Sequence, residues 1–184
     1  MSAGKIFSLF FVLSLSVGNF KLQASKEEIV NELERNFANE MKQTLGLHLC
    51  GSSHSMHEDI EELGFKFVIH RRATLEEARA IHLFVMERFV QTVNNFEKIL
   101  PYLAIHPFSP KRAEITIDFE GINGCHSDGS ITFMFNVCDL SKAPARNHIV
   151  YCAFDPFEYS LIKQLEEPYE EAVRINSAAT LDCW

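Results

Sequence analysis

The sequence lacks the short motifs that mark well-known reactions. It has no Gly-x-Ser-x-Gly elbow, no His-Glu-x-x-His, no P-loop and no Gly-x-Gly-x-x-Gly. It also has no Cys-x-x-Cys pair and no Asn-x-Ser/Thr glycosylation acceptor. These absences exclude the enzyme families that the motifs mark. The missing glycosylation acceptor favours a bacterial periplasmic or secreted protein over a eukaryotic one.

Basic residues are scarce in this chain. Its 184 residues include 17 Lys and Arg against 25 Asp and Glu, for a formal net charge of −8. The longest basic cluster is His70-Arg71-Arg72. An acidic chain without a larger basic patch argues against nucleic acid and anionic membrane surfaces as partners. The expected partner is therefore a protein or a small ligand.

Long hydrophobic runs are also missing, apart from residues 6–17 near the N-terminus. That run is preceded by Lys5 and followed by a more polar stretch ending at Ala24, the layout of a secretory signal. It is shorter than the roughly 20 residues that a membrane-spanning helix needs. The pattern predicts a cleaved signal peptide over residues 1–24 and a periplasmic or secreted location. Residues 25–184 are predicted to form one soluble domain without a membrane span.

Caps and hydrophobic spacing predict three helices and four strands. Ser25 and Glu28 form a capping box for a helix that ends near Gly46, and a second box at Thr74 opens a long helix that ends at Pro101. Alternating apolar residues predict strands over 63–72, 115–119, 131–137 and 148–154. The last helix is predicted to begin at Asp155-Pro156 and to be kinked or split by Pro168.

The element order α-β-α-β-β-β-α predicts an α+β fold. In this arrangement an N-terminal helix, one long central helix and a C-terminal helix accompany an antiparallel sheet of about four strands. Residues 48–58 are polar and without periodicity, so we expect a loop there. A glycine-rich stretch over residues 121–129 predicts a long hairpin loop.

The cysteine count is odd. In an oxidising compartment, one or two disulfides are expected, with at least one thiol left free or paired between chains. The sequence leaves the pairing open among Cys50, Cys125, Cys138, Cys152 and Cys183.

Several short sequence segments in the first two thirds of the chain are similar to segments in a known group of proteins. They are Leu75-Glu-Glu-Ala-Arg79, Leu100-Pro-Tyr-Leu103, Pro107-Phe108 and the alternating Glu114-Ile-Thr-Ile-Asp118. Together they resemble uncharacterised exported proteins from intracellular Gram-negative bacteria of the chlamydia and legionella type. The resemblance covers residues 45–120. It implies export and carries no specific activity with it.

The densest chemical cluster lies within residues 48–59. His48, Cys50, His54 and His57 supply three imidazoles and a thiol within ten residues. These ligand types suit Zn²⁺ or Cu ions, so a metal site in a loop over residues 48–57 is one hypothesis. The alternative is a polar loop in which Cys50 is half of a disulfide.

A thiol-dependent enzyme is a further hypothesis. Cys125 is followed by His126, Ser127 and Asp128, and a thiolate needs a base or cation beside it to form at neutral pH. Either Cys50 or Cys125 would need a loop histidine brought close by the fold. The alternative is a solvated turn. Because no catalytic motif is present, a non-enzymatic module that binds a protein or ligand is the leading prediction, ahead of metal binding and thiol chemistry.

Overall fold

The computed structural model describes residues 25–120, 130–139 and 146–181. The predicted signal peptide and the predicted hairpin loop over residues 121–129 lie outside this part of the chain. The elements are α1 (Lys26–Leu45), β1 (His48–Met56), β2 (Ile60–Ile69), α2 (Leu75–Asn95), β3 (Ala113–Phe119), β4 (Ile131–Asp139), β5 (Arg146–Asp155), β6 (Ser160–Pro168) and α3 (Tyr169–Leu181). The prediction of an α+β fold is confirmed.

Both predicted capping boxes are present. The Ser25 hydroxyl accepts a hydrogen bond from the Glu28 N–H at 3.2 Å, while the Glu28 carboxylate accepts from the Ser25 N–H at 2.8 Å. Thr74 and Glu77 make the same reciprocal pair at the start of α2. These bonds satisfy N–H groups that a helix start otherwise leaves unpaired. Gly46 ends α1 in the left-handed region at φ 72°, where a glycine is favoured.

The strands form one mixed six-stranded sheet in sequence order, from β1 at one edge to β6 at the other. Neighbouring strands are antiparallel except for β2 and β3. Those two are parallel because α2 lies between them and returns the chain to the same end of the sheet.

The helices pack on one face of this sheet. Phe65 and Phe67 of β2 are buried beneath them, whereas Lys66 between them is exposed. The aromatic ring of Phe89 in α2 lies 4.8 Å from the Phe65 ring and 5.1 Å from the Phe37 ring of α1, centroid to centroid. Since α2 also contacts α3, which packs on β5 and β6, the core is a single layer between helices and sheet.

The prediction of a loop over residues 48–58 is wrong. His48–Met56 form β1, which pairs antiparallel with β2 from His48 opposite Val68 to Met56 opposite Ile60. The sequence of β1 predicts a loop because its residues are polar. They are polar because β1 lies at the edge of the sheet and places few side chains in the core. Backbone pairing with β2 holds it in place, and this pairing leaves no hydrophobic pattern in the sequence.

The prediction of a helix starting at Asp155 is also wrong. The Asp155 carboxylate accepts hydrogen bonds from the N–H groups of Phe157 and Glu158, as an N-cap would. Here those bonds close a turn, in which Tyr159 takes a positive φ of 49°. The chain reverses into β6, and α3 starts only at Tyr169, so Pro168 ends a strand rather than kinking a helix.

Two further features differ from expectation. Within the described residues the sheet has six strands rather than about four, and it is mixed rather than antiparallel, so the order there is α-β-β-α-β-β-β-β-α. The central helix ends at Asn95, well before Pro101, and at 21 residues it barely exceeds the 20 of α1. A short 3-10 turn over Leu100–Tyr102 follows it. Of the apolar residues past Asn95 that predicted a longer helix, Phe96 is the C-cap of α2 and Leu100 lies in this turn.

Within the described residues, no helix combines the length and apolar character needed to cross a bilayer.

Candidate functional site

The sheet face turned away from the helices is called the open face here. In the described part of the chain no helix packs on it. Strand alternation and register place on this face the side chains of Lys66, Val68, Glu114, Thr116, Asp118, Phe133, Phe135, Val137, His148, Val150, Cys152 and Glu166.

The β4 and β5 half of the open face is apolar. The rings of Phe133 and Phe135 lie 5.6 Å apart, centroid to centroid, and both are partly exposed. Val150 pairs with Phe135 across the strands but is only 8% exposed, whereas Val137 is 43% exposed at the end of the row. A soluble protein rarely leaves a contiguous apolar row on a sheet uncovered unless a partner covers it.

The β2 and β3 half carries charge. The Lys66 ammonium lies 5.5 Å from the centre of the Phe133 ring and 3.9 Å from the Asp118 carboxylate. Partial burial raises the pKa of Asp118, and the neighbouring Glu120 adds to this, while Lys66 opposes it. Lys66 thus joins the charged half to the aromatic half.

Glu114 lies between two shallow cavities on the open face. Its carboxylate accepts a hydrogen bond from the Ser53 hydroxyl at 3.1 Å. A cavity of about 270 Å³ on one side is lined by Ser53, Lys66 and Thr116. Another of about 250 Å³ on the other side is lined by Phe135 and, at its rim, by Glu62, Lys111, Arg112 and Val137. An acidic group flanked by apolar and hydroxyl surface can receive a cationic side chain.

At the β6 side the face ends in a small charged network. Glu166 binds His148 Nδ1 at 3.0 Å through one oxygen and Lys163 Nζ at 2.7 Å through the other. The hydrogen bond from Lys163, followed by that from His148, lowers the pKa of Glu166. The open face is therefore bounded by an ionised carboxylate at this end.

The four predicted metal ligands do not meet at one point. His48 pairs with Val68, which lies on the open face, whereas His54 pairs with Leu63, which lies on the helix face. Along an extended strand, six residues also separate the two by about 20 Å. His57 follows the strand in the turn, where its carbonyl accepts from Lys26. An ion held by all four residues does not fit this geometry.

His48 has a different neighbour. Its ring lies 6.4 Å from the ring of His70, and His70 Nδ1 lies 3.5 Å from the Glu120 carboxylate. These residues sit at the same end of β1, β2 and β3. Among the residues described, no three His, Cys, Asp or Glu side chains converge closely enough to hold a metal ion.

The two cysteines with described side chains are free thiols. Cys50 is exposed and donates to the Lys66 carbonyl at 3.3 Å, and desolvation raises the pKa of its thiol. Cys152 is buried, and burial likewise raises the pKa of its thiol. The side chains of Cys125, Cys138 and Cys183 lie outside the described part of the chain, so the disulfides predicted for them stay predictions.

The aromatic row on β4 was not singled out from the sequence. The alternation Ile131-x-Phe133-x-Phe135-x-Val137 predicts a strand, and the strand is confirmed. However, the buried side chains are those of Ile131, Thr132, Met134 and Asn136, and Phe133 and Phe135 face outward. Asn136 is buried because its amide bonds the β3 backbone at Ile115 N and Ala113 O.

The fold and the open face define the class of protein: an α+β domain with a mixed sheet that the described helices cover on one side only. Comparisons of the chain with known proteins find no matching family model, no similar curated protein and no similar solved structure. The resemblance to exported proteins of intracellular bacteria stays a prediction.

Proposed function

We propose that this protein is an exported, non-enzymatic module that binds a protein partner on the open face. The observation that carries the proposal is the apolar row of Phe133, Phe135 and Val137 on a sheet side that no described helix covers. Aromatic side chains of this kind supply large contact area at low conformational cost when a partner packs on them.

The charge of the face favours a partner segment with both apolar and basic residues. Asp118 pairs with Phe133, Glu114 lines one cavity with Phe135 and Val137, and the whole chain carries a net charge of −8. Lys66 already occupies part of this space, because it contacts both Phe133 and Asp118. A basic side chain from the partner would reach Glu114 on its Ser53 side, where the described hydrogen bond comes from a neutral hydroxyl, because Lys111 and Arg112 line the cavity on the other side.

The two thiols that the structure describes give no support to a thiol-dependent enzyme. A nucleophilic cysteine requires a lowered pKa, whereas the pKa values of Cys50 and Cys152 are both raised. Export rests on the signal-peptide pattern of residues 1–24. Intact mass spectrometry of protein from the producing cell tests that part, since cleavage after Ala24 predicts a mature chain beginning at Ser25.

The binding proposal can be tested with a displayed library of random peptides. Wild-type protein should enrich peptides that combine aromatic or aliphatic residues with Lys or Arg. Phe135→Asp should lose these peptides, because it places a charge in the middle of the apolar row. Phe84→Asp is the matched control, since Phe84 is an exposed phenylalanine on α2, on the helix side.

NMR then shows where on the protein an enriched peptide binds. Backbone amide shifts in NMR should move on β3 and β4 when an enriched peptide is added. The proposal fails if no peptide is enriched, if Phe135→Asp and Phe84→Asp weaken binding equally, or if the shifts fall on the helices.

Metal binding is the second candidate function, favoured by the neighbouring His48 and His70 rings. Two imidazoles on one zinc ion hold their ring centres about 5 Å apart, given N–Zn distances of 2.0–2.1 Å. The exposed His70 side chain would have to turn to close the observed 6.4 Å, and Glu120 would supply an oxygen ligand.

Calorimetric titration with Zn²⁺ and Cu²⁺ distinguishes the ligand sets. His70→Ala should abolish binding if His48, His70 and Glu120 form the site, whereas His54→Ala should leave it intact. Loss of binding in His54→Ala would instead favour ligands on β1 alone. Absence of stoichiometric binding in the wild type would end this candidate.

A further inference from the structure

A cavity of about 460 Å³ opens between α2 and α3, on the helix side of the sheet. The residues that line it recur in each helix at the spacing i, i+4, i+7 and i+8, which is the spacing of a single helix face. From α2 they are Leu83, Glu87, Val90 and Gln91, and from α3 they are Tyr169, Val173, Asn176 and Ser177. Pro110 completes the lining. One face of each helix is therefore turned toward a shared space.

Short side chains keep this space open. The two helices are in contact, but Val90, Val173 and Ser177 do not fill the gap between them. Val173 is 40% exposed although it is aliphatic. The volume falls in the range of about 300–1,000 Å³ that is typical of sites for small molecules. The cavity can therefore take a compact organic molecule.

The charge of the cavity comes from one side chain. Among the described residues, Glu87 is the one charged group in the lining, and its carboxylate accepts a hydrogen bond from the neutral Gln91 amide at 3.1 Å. Arg88 contacts the Gln91 carbonyl oxygen but forms its ion pair with Glu40 of α1. A carboxylate whose cavity holds no described cation favours a ligand that brings one.

Tyr169 adds an aromatic surface to the same cavity. Burial raises the pKa of Tyr169, and the charges of Glu87 and Glu170 raise it further. The Glu87 carboxylate thus acts on the Tyr169 ring from the other helix. An aromatic face together with a carboxylate suits the recognition of organic ammonium groups.

We propose that the cavity between α2 and α3 binds a small organic ammonium ion that carries an apolar ring or chain. The ammonium group donates to Glu87 and contacts the Tyr169 ring, and the apolar part lies against Leu83 and Val173. This site is formed by the helices and lies apart from the open face. It is therefore independent of the partner proposed for the sheet.

NMR titration of isotope-labelled protein with phenethylammonium tests the site. Amide shifts should move on α2 and α3. The neutral isostere 2-phenylethanol should bind at least about tenfold more weakly, because it leaves Glu87 without a cation. Glu87→Gln should remove this preference, so that the amine and the alcohol bind equally. Glu76→Gln makes the same charge change at an exposed glutamate of α2 outside the cavity, and it should keep the preference.

A second pair of variants tests the space itself. Val173→Trp fills the cavity and should abolish binding of both the amine and the alcohol. Ile105→Trp is the matched control at an exposed aliphatic residue outside the lining, and it should leave binding unchanged. The dispersion of each variant's NMR signals verifies folding.

A lysine side chain carries the same ammonium group on a flexible stem, so Nα-acetyl-lysine amide is the competing probe. It should bind at least about tenfold more weakly than phenethylammonium, since it lacks the rigid apolar ring. Equal binding would assign the cavity to lysine side chains and overturn the proposal. So would the absence of saturable shifts up to about 10 mM phenethylammonium, an unchanged preference in Glu87→Gln, or equal binding by Val173→Trp and Ile105→Trp.

Discussion

The Arg79 guanidinium of α2 binds the Glu167 carboxylate of β6 at two points, Nε to Oε1 at 2.7 Å and Nη2 to Oε2 at 3.2 Å. Both side chains are less than a tenth exposed. The Tyr151 hydroxyl donates to the same Oε1 at 2.7 Å. Burial, followed by the Glu167 carboxylate, raises the pKa of Tyr151, and the hydrogen bond to Glu167 raises the pKa of Arg79. The three side chains join α2, β5 and β6 inside the core.

Glu167→Gln should destabilise the fold by about 3–5 kcal/mol, because it leaves the Arg79 charge buried without its counter-ion. Tyr151→Phe removes a single hydrogen bond and should cost about 1 kcal/mol. Urea unfolding followed by circular dichroism measures both changes. Glu171→Gln is the control, because the exposed Glu171–Arg174 pair is screened by solvent and should contribute little to stability. Equal losses in Glu167→Gln and Glu171→Gln would contradict a structural role for the buried pair.

His82 should make stability depend on pH. Its ring is fully buried, with Nε2 3.3 Å from the Ile115 carbonyl, and Nδ1 has no hydrogen-bond partner among the described residues. Burial lowers its pKa from 6.5 to about 4, outweighing the hydrogen bonds that raise it. Between these values the unfolded chain holds the proton and the folded chain does not. Stability therefore falls as pH drops below 6.5, by about 3 kcal/mol in total once pH 4 is passed.

The contribution of His82 to the pH dependence of stability is measured by comparing the wild type with His82→Leu. The free energy of unfolding is measured from pH 7.5 to pH 4 for the wild type and for His82→Leu. The variant loses the bond to Ile115 but escapes the protonation cost, so its disadvantage at neutral pH should shrink or reverse in acid. His106→Leu, the same change at an exposed histidine, should not produce this change in slope. A His82→Leu profile parallel to the wild type would refute the assignment.

Gly64 should tolerate no side chain. A Cβ built there would overlap the Ser53 hydroxyl and approach Glu114 Cβ to 2.9 Å. Gly64→Ala should therefore destabilise the protein by about 1–3 kcal/mol through overpacking between β1 and β3. At Gly51 the nearest atom to such a Cβ is Lys66 Cβ at 3.9 Å, so Gly51→Ala should change stability by less than about 0.5 kcal/mol. Similar thermal unfolding midpoints for the two variants would contradict this packing.

Cys50 should behave as an unactivated thiol. Desolvation raises its pKa above the ordinary 9.0, so little thiolate is present at neutral pH. Iodoacetamide should modify it more slowly than a free cysteine at pH 7, and the rate should rise about tenfold per pH unit up to at least pH 9. Peptide mapping of the alkylated protein measures the rate, with Cys50→Ser identifying the signal. Rapid alkylation below pH 7 would revive the thiol-enzyme hypothesis.

The helix starts and most strands could be predicted because residues a few positions apart specify them. The capping boxes at Ser25 and Thr74 are formed by residues three apart, so a short stretch of sequence contains all the information. The alternation in β2 and β3 was visible because each of these strands buries its apolar face, whereas Phe133, Phe135 and Val137 of β4 alternate on the face turned away from the helices. By contrast, Asp155 makes the hydrogen bonds of a helix cap in a chain reversal, and its neighbours do not distinguish the two outcomes.

The candidate site was harder to predict than the fold. The polar residues of β1 suggested a metal-binding loop, because four candidate ligand residues, three histidines and a cysteine, lie close in sequence. Extension of the strand separates His48 from His54, and β2 brings His70 to His48 instead. The outward direction of Phe133 and Phe135 depends on Asn136 bonding the β3 backbone, a partner 21 residues away.

By itself, the sequence determined the acidic character, the α+β class, two helix starts and most of the strands, because composition, capping and alternation act over a few residues. Only the tertiary structure decided that β1 and β6 are strands, that β2 and β3 are parallel, and that an aromatic row faces away from the helices. Those features come from backbone pairing and from contacts such as Arg79 with Glu167. Their energy is realised only when segments far apart in the chain meet.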